Sequence, residues 1–163
     1  MSSPSTLKGA IAESAITAAA AELGFVVLRP LIEGRRYDLV IDTGPRLLRV
    51  QCKSGRLKRG VVVVTVATCR FTPAQGYVRS KYTAEEIDGV GVYCPDLKRC
   101  FFLPIELVAG RSVVHLRIDT AANNQRAAIT WAADYEFGAI AQLGERRTGS
   151  AKVAGSSPAS STS

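Results

Sequence analysis

The sequence predicts one domain of mixed α/β (α+β) type, in which helices flank a mixed β-sheet. Its length of 163 residues suits one compact domain. Hydrophobic residues make up 47% of the chain and charged residues 21%, a balance typical of globular proteins. The periodic segments follow the order helix, several strands, helix, which is the pattern of this fold class.

The first periodic segment, residues 6–23, predicts a helix. Apolar residues such as Ile16 form one arc of its surface, and Gly24 follows where a glycine commonly ends a helix. Glu13 lies at the border of this arc, from where its side chain can point along the sheet. A carboxylate at such a border is usually solvated, so Glu13 becomes a candidate only together with other polar residues.

Short apolar or alternating segments bounded by turn residues predict the strands. Gly44 and Pro45 predict a turn between two of them, and Pro95 and Asp96 predict a second hairpin. The predicted strands are residues 25–29, 37–42, 47–53, 61–68, 91–94, 100–103 and 112–118. Residues 83–88 predict a helical turn, and residues 120–135 predict a closing helix that carries Trp131 into the core.

Charge is distributed unevenly along the chain. The net charge is +7, and residues 43–84 contain nine basic side chains and no acidic one. Such a run is often only a solvated face. Here it coincides with the most strand-rich part of the sequence, where one sign of charge can cover a sheet and its loops. We therefore expect an anionic partner, and specifically double-stranded DNA or another nucleic acid.

Several functional classes are excluded by what the sequence lacks. No apolar run reaches the roughly 20 residues of a membrane-spanning helix, and the first six residues do not resemble a secretory signal. The four cysteines have no CxxC spacing and His115 is the single histidine, which argues against structural zinc and His-based nucleophilic catalysis. The expectation is a cytoplasmic protein with reduced thiols and no membrane partner.

Polar residues on two predicted strands can share one face. In residues 48–53 the apolar side chains alternate with polar ones, which puts Gln51 and Lys53 on the same side of the sheet. Asp38 lies in an apolar setting on the preceding strand, where a lone carboxylate is costly without a partner. A four-residue loop, 43–46, places Asp38 opposite Gln51, whereas a three-residue loop places it opposite Val50 on the wrong face. The shared face therefore needs the four-residue loop or a bulge.

This order of residues resembles the PD-(D/E)XK nuclease superfamily, and within it the branch with intron-encoded homing endonucleases and archaeal-type Holliday junction resolvases. The resemblance covers roughly residues 8–135 and implies a restriction-endonuclease-like core. It also departs from the superfamily in one place, since Gln51 stands where most members have Asp or Glu, although the homing branch is known to carry Gln there. The residues that carry the resemblance are Glu13, Tyr37, Asp38, Gln51, Cys52 and Lys53.

The resemblance implies a role for each of these residues. Asp38, the Gln51 amide and the Cys52 carbonyl would bind Mg²⁺ or another divalent cation, because hard cations prefer oxygen ligands. Lys53 would stabilise the charged transition state or orient the attacking water. Glu13 would bind the metal through water or maintain the geometry. The residues expected to contact DNA, although each could equally be a solvated charge, are Arg36, Arg49, Ser54, Arg56, Lys58 and Arg59.

The predicted function is a metal-dependent DNA endonuclease of the homing type, linked to a mobile element. A homo-oligomer, either dimer or tetramer, is expected because one such site cuts one strand. Two alternatives stay open. One is a structure-selective nuclease similar to a Holliday junction resolvase, and the other is a nucleic-acid-binding module without catalysis, in which Asp38 and Lys53 form only a structural ion pair.

Residues 138–163 are rich in Gly, Ser and Ala and predict a disordered, low-complexity tail after a nuclease-like domain of residues 6–137. The tail also resembles a tRNA gene translated in one frame. D-arm codons would encode Ala141 and Gln142, and T-arm codons would encode residues 155–158. We therefore expect a reading frame that runs into a tRNA gene, with an ordinary low-complexity tail as the alternative.

Overall fold

The computed structural model describes residues 4–119 and 128–146. Its centre is a five-stranded mixed sheet in the order β1-β2-β3-β8-β9, which confirms the predicted α/β class. The strands are β1 (Val26–Leu28), β2 (Leu39–Asp42), β3 (Leu47–Ser54), β4 (Arg56–Lys58), β5 (Val61–Thr65), β6 (Thr68–Thr72), β7 (Gly76–Ser80), β8 (Gly89–Cys94), β9 (Arg99–Pro104) and β10 (Val113–Arg117). The helices are α1 (Pro4–Glu22), α2 (Ile105–Val108) and α3 (Ile140–Arg146), with short 3₁₀ helices at Ala132–Tyr135 and Phe137–Ala139.

Helix α1 forms where the sequence predicts it and covers one face of the main sheet. Ala12, Ile16 and Ala20 are buried there, so the apolar arc supplies the contact. Gly24 follows the helix with a φ of 81°, a left-handed conformation that glycine adopts without steric cost. None of the helices in the described ranges is both long enough and apolar enough to cross a membrane.

The hairpin between β2 and β3 has the four-residue loop that the sequence analysis required. Asp42 pairs with Leu47, and Leu39 pairs with Val50. The Thr43 amide donates to the Arg46 carbonyl at 2.9 Å and closes the loop. Asp38, one residue before β2, therefore lies in line with Gln51. On its other side β3 runs parallel to β8, and this parallel pair makes the sheet mixed.

A second sheet, in the order β10-β5-β4, packs against the main sheet. Val62, Val64 and Leu116 of this sheet are fully buried against Val90 and Val92 of β8. The predicted single strand 61–68 is wrong in one respect, because it ends at Thr65 and a new strand begins at Thr68. The amides of residues 66 and 67 turn aside to donate to the Ser112 carbonyl, at 2.9 and 3.2 Å.

The C-terminal part of the chain differs from the prediction. Residues 128–131 are not helical, and the Arg117 amide donates to the Thr130 carbonyl at 2.9 Å, so this stretch runs alongside β10. The closing helix is therefore wrong over these residues, whereas residues 120–127 lie outside the described part of the chain. Trp131, expected in the core, is only half-buried.

The predicted tail also needs correction at its start. Residues 137–146 are helical, and Phe137 and Ile140 are buried in the core beneath α1. The Phe137 ring meets the Phe102 ring edge-on, with centroids 6.3 Å apart. Phe137, the last residue of the predicted domain, and Ile140, within the predicted tail, thus attach this segment to the core. Residues 147–163 lie outside the described residues, so the tRNA-like reading and the division into domain and tail stay predictions.

Substitution by alanine should change the free energy of unfolding in opposite directions at Gly89 and Gly9. A Cβ on Gly89 would contact the Phe102 ring and lie 2.7 Å from the Leu103 carbonyl oxygen, so Gly89→Ala should lower the free energy of unfolding by about 1–3 kcal/mol. Gly9 lies within α1 with nothing within 4 Å of an added Cβ, so Gly9→Ala should raise it by about 0.5–1 kcal/mol. Urea denaturation followed by circular dichroism measures both, and a stable Gly89→Ala variant would contradict the packing described for β8 and β9.

Candidate active site

The Asp38 carboxylate lies against β3. Its Oδ2 accepts a hydrogen bond from the Cys52 backbone amide at 2.8 Å and another from the Gln51 side-chain amide. The Asp38 amide in turn donates to the Val50 carbonyl at 2.9 Å. These bonds exist because the hairpin register brings the residue before β2 alongside the middle of β3. The structure thus brings together Asp38 and Gln51, as the sequence analysis predicted.

Asp38, Gln51 and Lys53 line one cleft of about 570 Å³. All three side chains are half-buried. The apolar residues that alternate with Gln51 and Lys53 along β3, Val50 and Cys52, face the core beneath α1. The predicted convergence of the three polar side chains is therefore found. The opposite wall of the cleft contains Gln75, Val78, Ser80 and Lys81, which the sequence analysis did not assign to the site. Their position in the basic run was the only sequence signal for them.

Burial shifts the pKa values of the two charged groups in this cleft in opposite directions. Desolvation raises the pKa of Asp38, while the Cys52 amide and the Lys53 charge oppose the rise. Desolvation lowers the pKa of Lys53, against the attraction of Asp38. A carboxylate and an ammonium group that are both desolvated in a cleft are typical of functional sites, because a core would seldom retain them.

Tyr82 supplies an apolar surface beside these charges. Its side chain is buried, and its ring lies 4.7 Å from the Arg36 guanidinium and 5.9 Å from the Lys53 ammonium, measured from the ring centroid. Burial raises the pKa of its phenol, so the group stays neutral. The Tyr82 hydroxyl has no hydrogen-bond partner among the described residues. The sequence analysis did not select Tyr82, because an aromatic residue next to a strand most often packs in the core.

Arg36, whose expected DNA contact stays a prediction, bonds several groups within the protein. Its Nη1 donates to the hydroxyls of Thr68 and Ser80, both at 2.9 Å. Its Nη2 donates to the Lys81 carbonyl at 3.0 Å, and the guanidinium pairs with Glu86. The structure therefore places Arg36 inside the wall of the cleft, where it connects β6 and β7 to the turn before β8.

Arg49 also forms its hydrogen bonds within the protein. Its Nε and its backbone amide donate to the Asp88 carboxylate at 3.0 and 2.8 Å, and its terminal nitrogens donate to the carbonyls of Ala84 and Glu85. These bonds connect β3 to the chain that leads into β8. Arg49 thus has an internal structural contact, and its predicted DNA contact stays a prediction.

Four further residues predicted to contact DNA are exposed. Ser54 ends β3, and the three basic residues occupy β4 and the turn that follows it. No ion pair connects them to a carboxylate within the described ranges, so their charges face solvent. This arrangement leaves the predicted DNA contacts possible, and they stay predictions. The residues are Ser54, Arg56, Lys58 and Arg59.

Glu13 does not line the cleft. It accepts a hydrogen bond from Arg29 Nη1 at 3.2 Å, and this ion pair lies on the α1 side of the structure. Burial raises the pKa of the Cys52 thiol, and the charges of Asp38 and Glu13 raise it further. Glu13 is therefore close to the Cys52 end of the site, but its role in binding metal stays a prediction.

The oxygen atoms of the site fit a hard cation. The Gln51 amide nitrogen contacts Asp38 Oδ2 and lies 3.5 Å from the Cys52 carbonyl oxygen, so two oxygen atoms converge on one partially positive group. The two ends of a Gln amide can be exchanged by a half-turn, which presents its oxygen instead. Among the described residues, no group of three or more His, Cys, Asp or Glu side chains is placed to hold a metal ion. A set of carboxylate, amide and carbonyl oxygens suits Mg²⁺.

Comparisons with known proteins point to one family. The family model described as PD-(D/E)XK endonuclease matches residues 4–138, a range that includes the whole cleft. The solved structure of the bacterial homing endonuclease I-Ssp6803I superimposes with a TM-score of 0.70, at 30% sequence identity. This likeness covers 89% of this chain and 98% of that chain. A search of curated proteins found no match.

The unpartnered hydroxyl of Tyr82 gives a stability prediction. Tyr82→Phe keeps the ring beside Arg36 and Lys53 and removes a buried polar group, so the free energy of unfolding should rise by about 1 kcal/mol. Tyr37→Phe, at a half-buried tyrosine outside the cleft, serves as the control and should change little. Urea denaturation checks both. A Tyr82→Phe variant that loses more than about 1 kcal/mol would show that the hydroxyl has a partner.

Proposed function

The chain belongs to the PD-(D/E)XK endonuclease family, and from this membership we propose a metal-dependent endonuclease that cleaves double-stranded DNA with Mg²⁺. We propose further that it is of the homing type and linked to a mobile element. The observation that carries the proposal is the convergence of Asp38, Gln51 and Lys53 in one basic-walled cleft. A core position would not require this combination of a carboxylate, an amide and an ammonium group on one face.

Asp38, the Gln51 amide and the Cys52 carbonyl would bind the divalent cation. Bound there, the cation supplies charge neutralisation at the phosphate and a more acidic water molecule. The Cys52 amide holds the Asp38 carboxylate in position through a hydrogen bond of 2.8 Å. Gln51 provides an oxygen without a negative charge, which predicts weaker metal affinity than a pair of carboxylates would give.

Lys53 would act on the phosphate. No carboxylate oxygen in the described ranges lies within 4 Å of its ammonium group, so its three donors face the cleft. A positively charged donor held in a desolvated cleft stabilises the negative charge that develops on the phosphate oxygens during hydrolysis. Asp38 counteracts the desolvation that lowers the pKa of Lys53, and thereby favours the charged form needed for this role.

The homing assignment is supported by the likeness to a bacterial homing endonuclease over most of both chains. The tRNA-like pattern in the last residues supports a link to a mobile element, since such elements insert at defined loci. One cleft can cut one strand, so a double-strand break needs a second copy. We therefore propose a homo-oligomer as the active form.

Cleavage should require both Mg²⁺ and Lys53. The substrate is a library of supercoiled plasmids carrying fragments of bacterial genomic DNA, with the cleaved ends sequenced afterwards. Lys53→Ala should reduce the cleavage rate by at least about 100-fold, because it removes the cleft's ammonium donor. Lys8→Ala, which removes the same charge from the exposed side of α1, should leave the rate unchanged.

The same assay separates the alternatives. Linear product with a shared end sequence supports a homing-type enzyme. Cleavage of synthetic four-way junctions, with all plasmids left intact, would assign a resolvase-like activity instead. DNA binding without cleavage in Mg²⁺ or Mn²⁺ would show that the chain is a binding module. Equal cleavage rates for Lys53→Ala and the wild type would show that Lys53 takes no part in the reaction.

The neutral ligand at position 51 gives a prediction about metal affinity. Gln51→Glu adds a negative charge next to Asp38 and the Cys52 carbonyl, and should tighten Mg²⁺ binding by about tenfold. Isothermal titration calorimetry of the intact protein measures the affinity, with Gln142→Glu on the exposed face of α3 as the matched control. Unchanged affinity in Gln51→Glu would show that residue 51 does not face the metal.

A further inference from the structure

Strands β6 and β7 form a two-stranded ribbon, closed by the turn 73–75, which pairs with neither of the other sheets. We call it the β6–β7 ribbon. Among the ribbon side chains whose burial the structure describes, those of residues 68, 69 and 73–80, none is buried. A two-stranded hairpin that pairs with no other strand is marginally stable by itself, and ordering it is costly unless other contacts hold it. The contacts that hold this ribbon therefore indicate what it is positioned for.

Hydrogen bonds from Arg36 hold the ribbon beside the cleft that Asp38 lines. Arg36 donates to Thr68 on one strand and to Ser80 on the other, both at 2.9 Å, and these two hydroxyls lie 2.8 Å from each other. Four side chains of the ribbon and its turn line the same cleft as Asp38, namely Thr68, Gln75, Val78 and Ser80. The strands of the ribbon are thus anchored beside Asp38, and its turn lines the same cleft through Gln75.

The charge of the ribbon suits DNA. Residues 68–81 contain three basic residues and no acidic one. A two-stranded ribbon fits the major groove of B-DNA, where base edges are read, and basic side chains at its flanks contact phosphates. If the cleft holds a phosphodiester, the ribbon beside it reaches the groove next to the cleaved bond.

We propose that the β6–β7 ribbon enters the major groove and reads the DNA sequence next to the cleavage position, with Gln75 at its tip as a specificity-determining residue. This inference rests on the proposed function, because it takes duplex DNA as the ligand. Gln75 is exposed and lines the cleft, and its amide offers the donor and acceptor pair that matches the N6 and N7 atoms of adenine. Lys81, also exposed and at the cleft, contacts a phosphate and contributes affinity without sequence preference.

The test separates base reading from phosphate binding and does not depend on cleavage. The full chain and its variants are used to select from randomised duplex DNA, with Ca²⁺ in place of Mg²⁺, and the bound pool is sequenced. Gln75→Ala should lose a preference of roughly 5- to 150-fold for an A·T pair within the motif, and leave the other positions unchanged. Lys81→Gln should keep the motif, weaken binding to all sequences and reduce the salt dependence by about one phosphate contact.

The controls are Gln142→Ala on α3 and Arg111→Gln before β10, both at exposed residues outside the cleft, and neither should alter the motif or the salt dependence. An unchanged motif with Gln75→Ala, or no motif for the wild type, would overturn the inference. Loss of self-association in ribbon variants with an unchanged motif would instead assign the ribbon to a contact between copies. A shifted motif in a protein that never cleaves DNA would support the inference and contradict the proposed catalysis.

Discussion

The register between β2 and β3 determines where every polar group of the site lies. The four-residue loop 43–46 pairs Asp42 with Leu47, and this register carries Asp38 to the Cys52 amide and the Gln51 side chain. Because side chains alternate across a strand, a shift of one residue would turn Asp38 towards the core face. The loop hydrogen bond at Thr43 and the buried apolar partners on the opposite face both hold the register, so packing and site geometry are stabilised by the same contacts.

The site carries a free-energy cost that the rest of the fold must offset. Asp38 and Lys53 are desolvated without a direct ion pair between them, and the buried Tyr82 hydroxyl has no partner in the described part of the chain. Groups of this kind destabilise a protein unless they are paired. The two hydrophobic cores, one beneath α1 and one between the sheets, provide that compensation. The cost is understandable if a cation and a phosphate complete the charge balance when bound.

Basic residues close together in the sequence separate into two groups in the structure. Arg36 and Arg49 pair with Glu86 and Asp88, and together they fasten the chain before β8 to the sheet and the ribbon. The exposed charges of β4 and Lys81 remain at the surface around the cleft. The first group gives the cleft walls a fixed position, and the second leaves positive charge exposed around the cleft. A net charge of +7 describes their sum but does not show this division.

The sequence by itself determined the helix α1, the alternation of β3 and the convergence of Asp38, Gln51 and Lys53, because these follow from local periodicity and from one short loop. Tertiary structure alone decided which arginines form internal ion pairs, because their carboxylate partners lie 39 and 50 residues away along the chain. It also decided that residues 137–146 fold and that residues 128–131 are not helical, since Phe102 and β10 supply the partners. Local propensity carries no information about partners that distant parts of the chain provide.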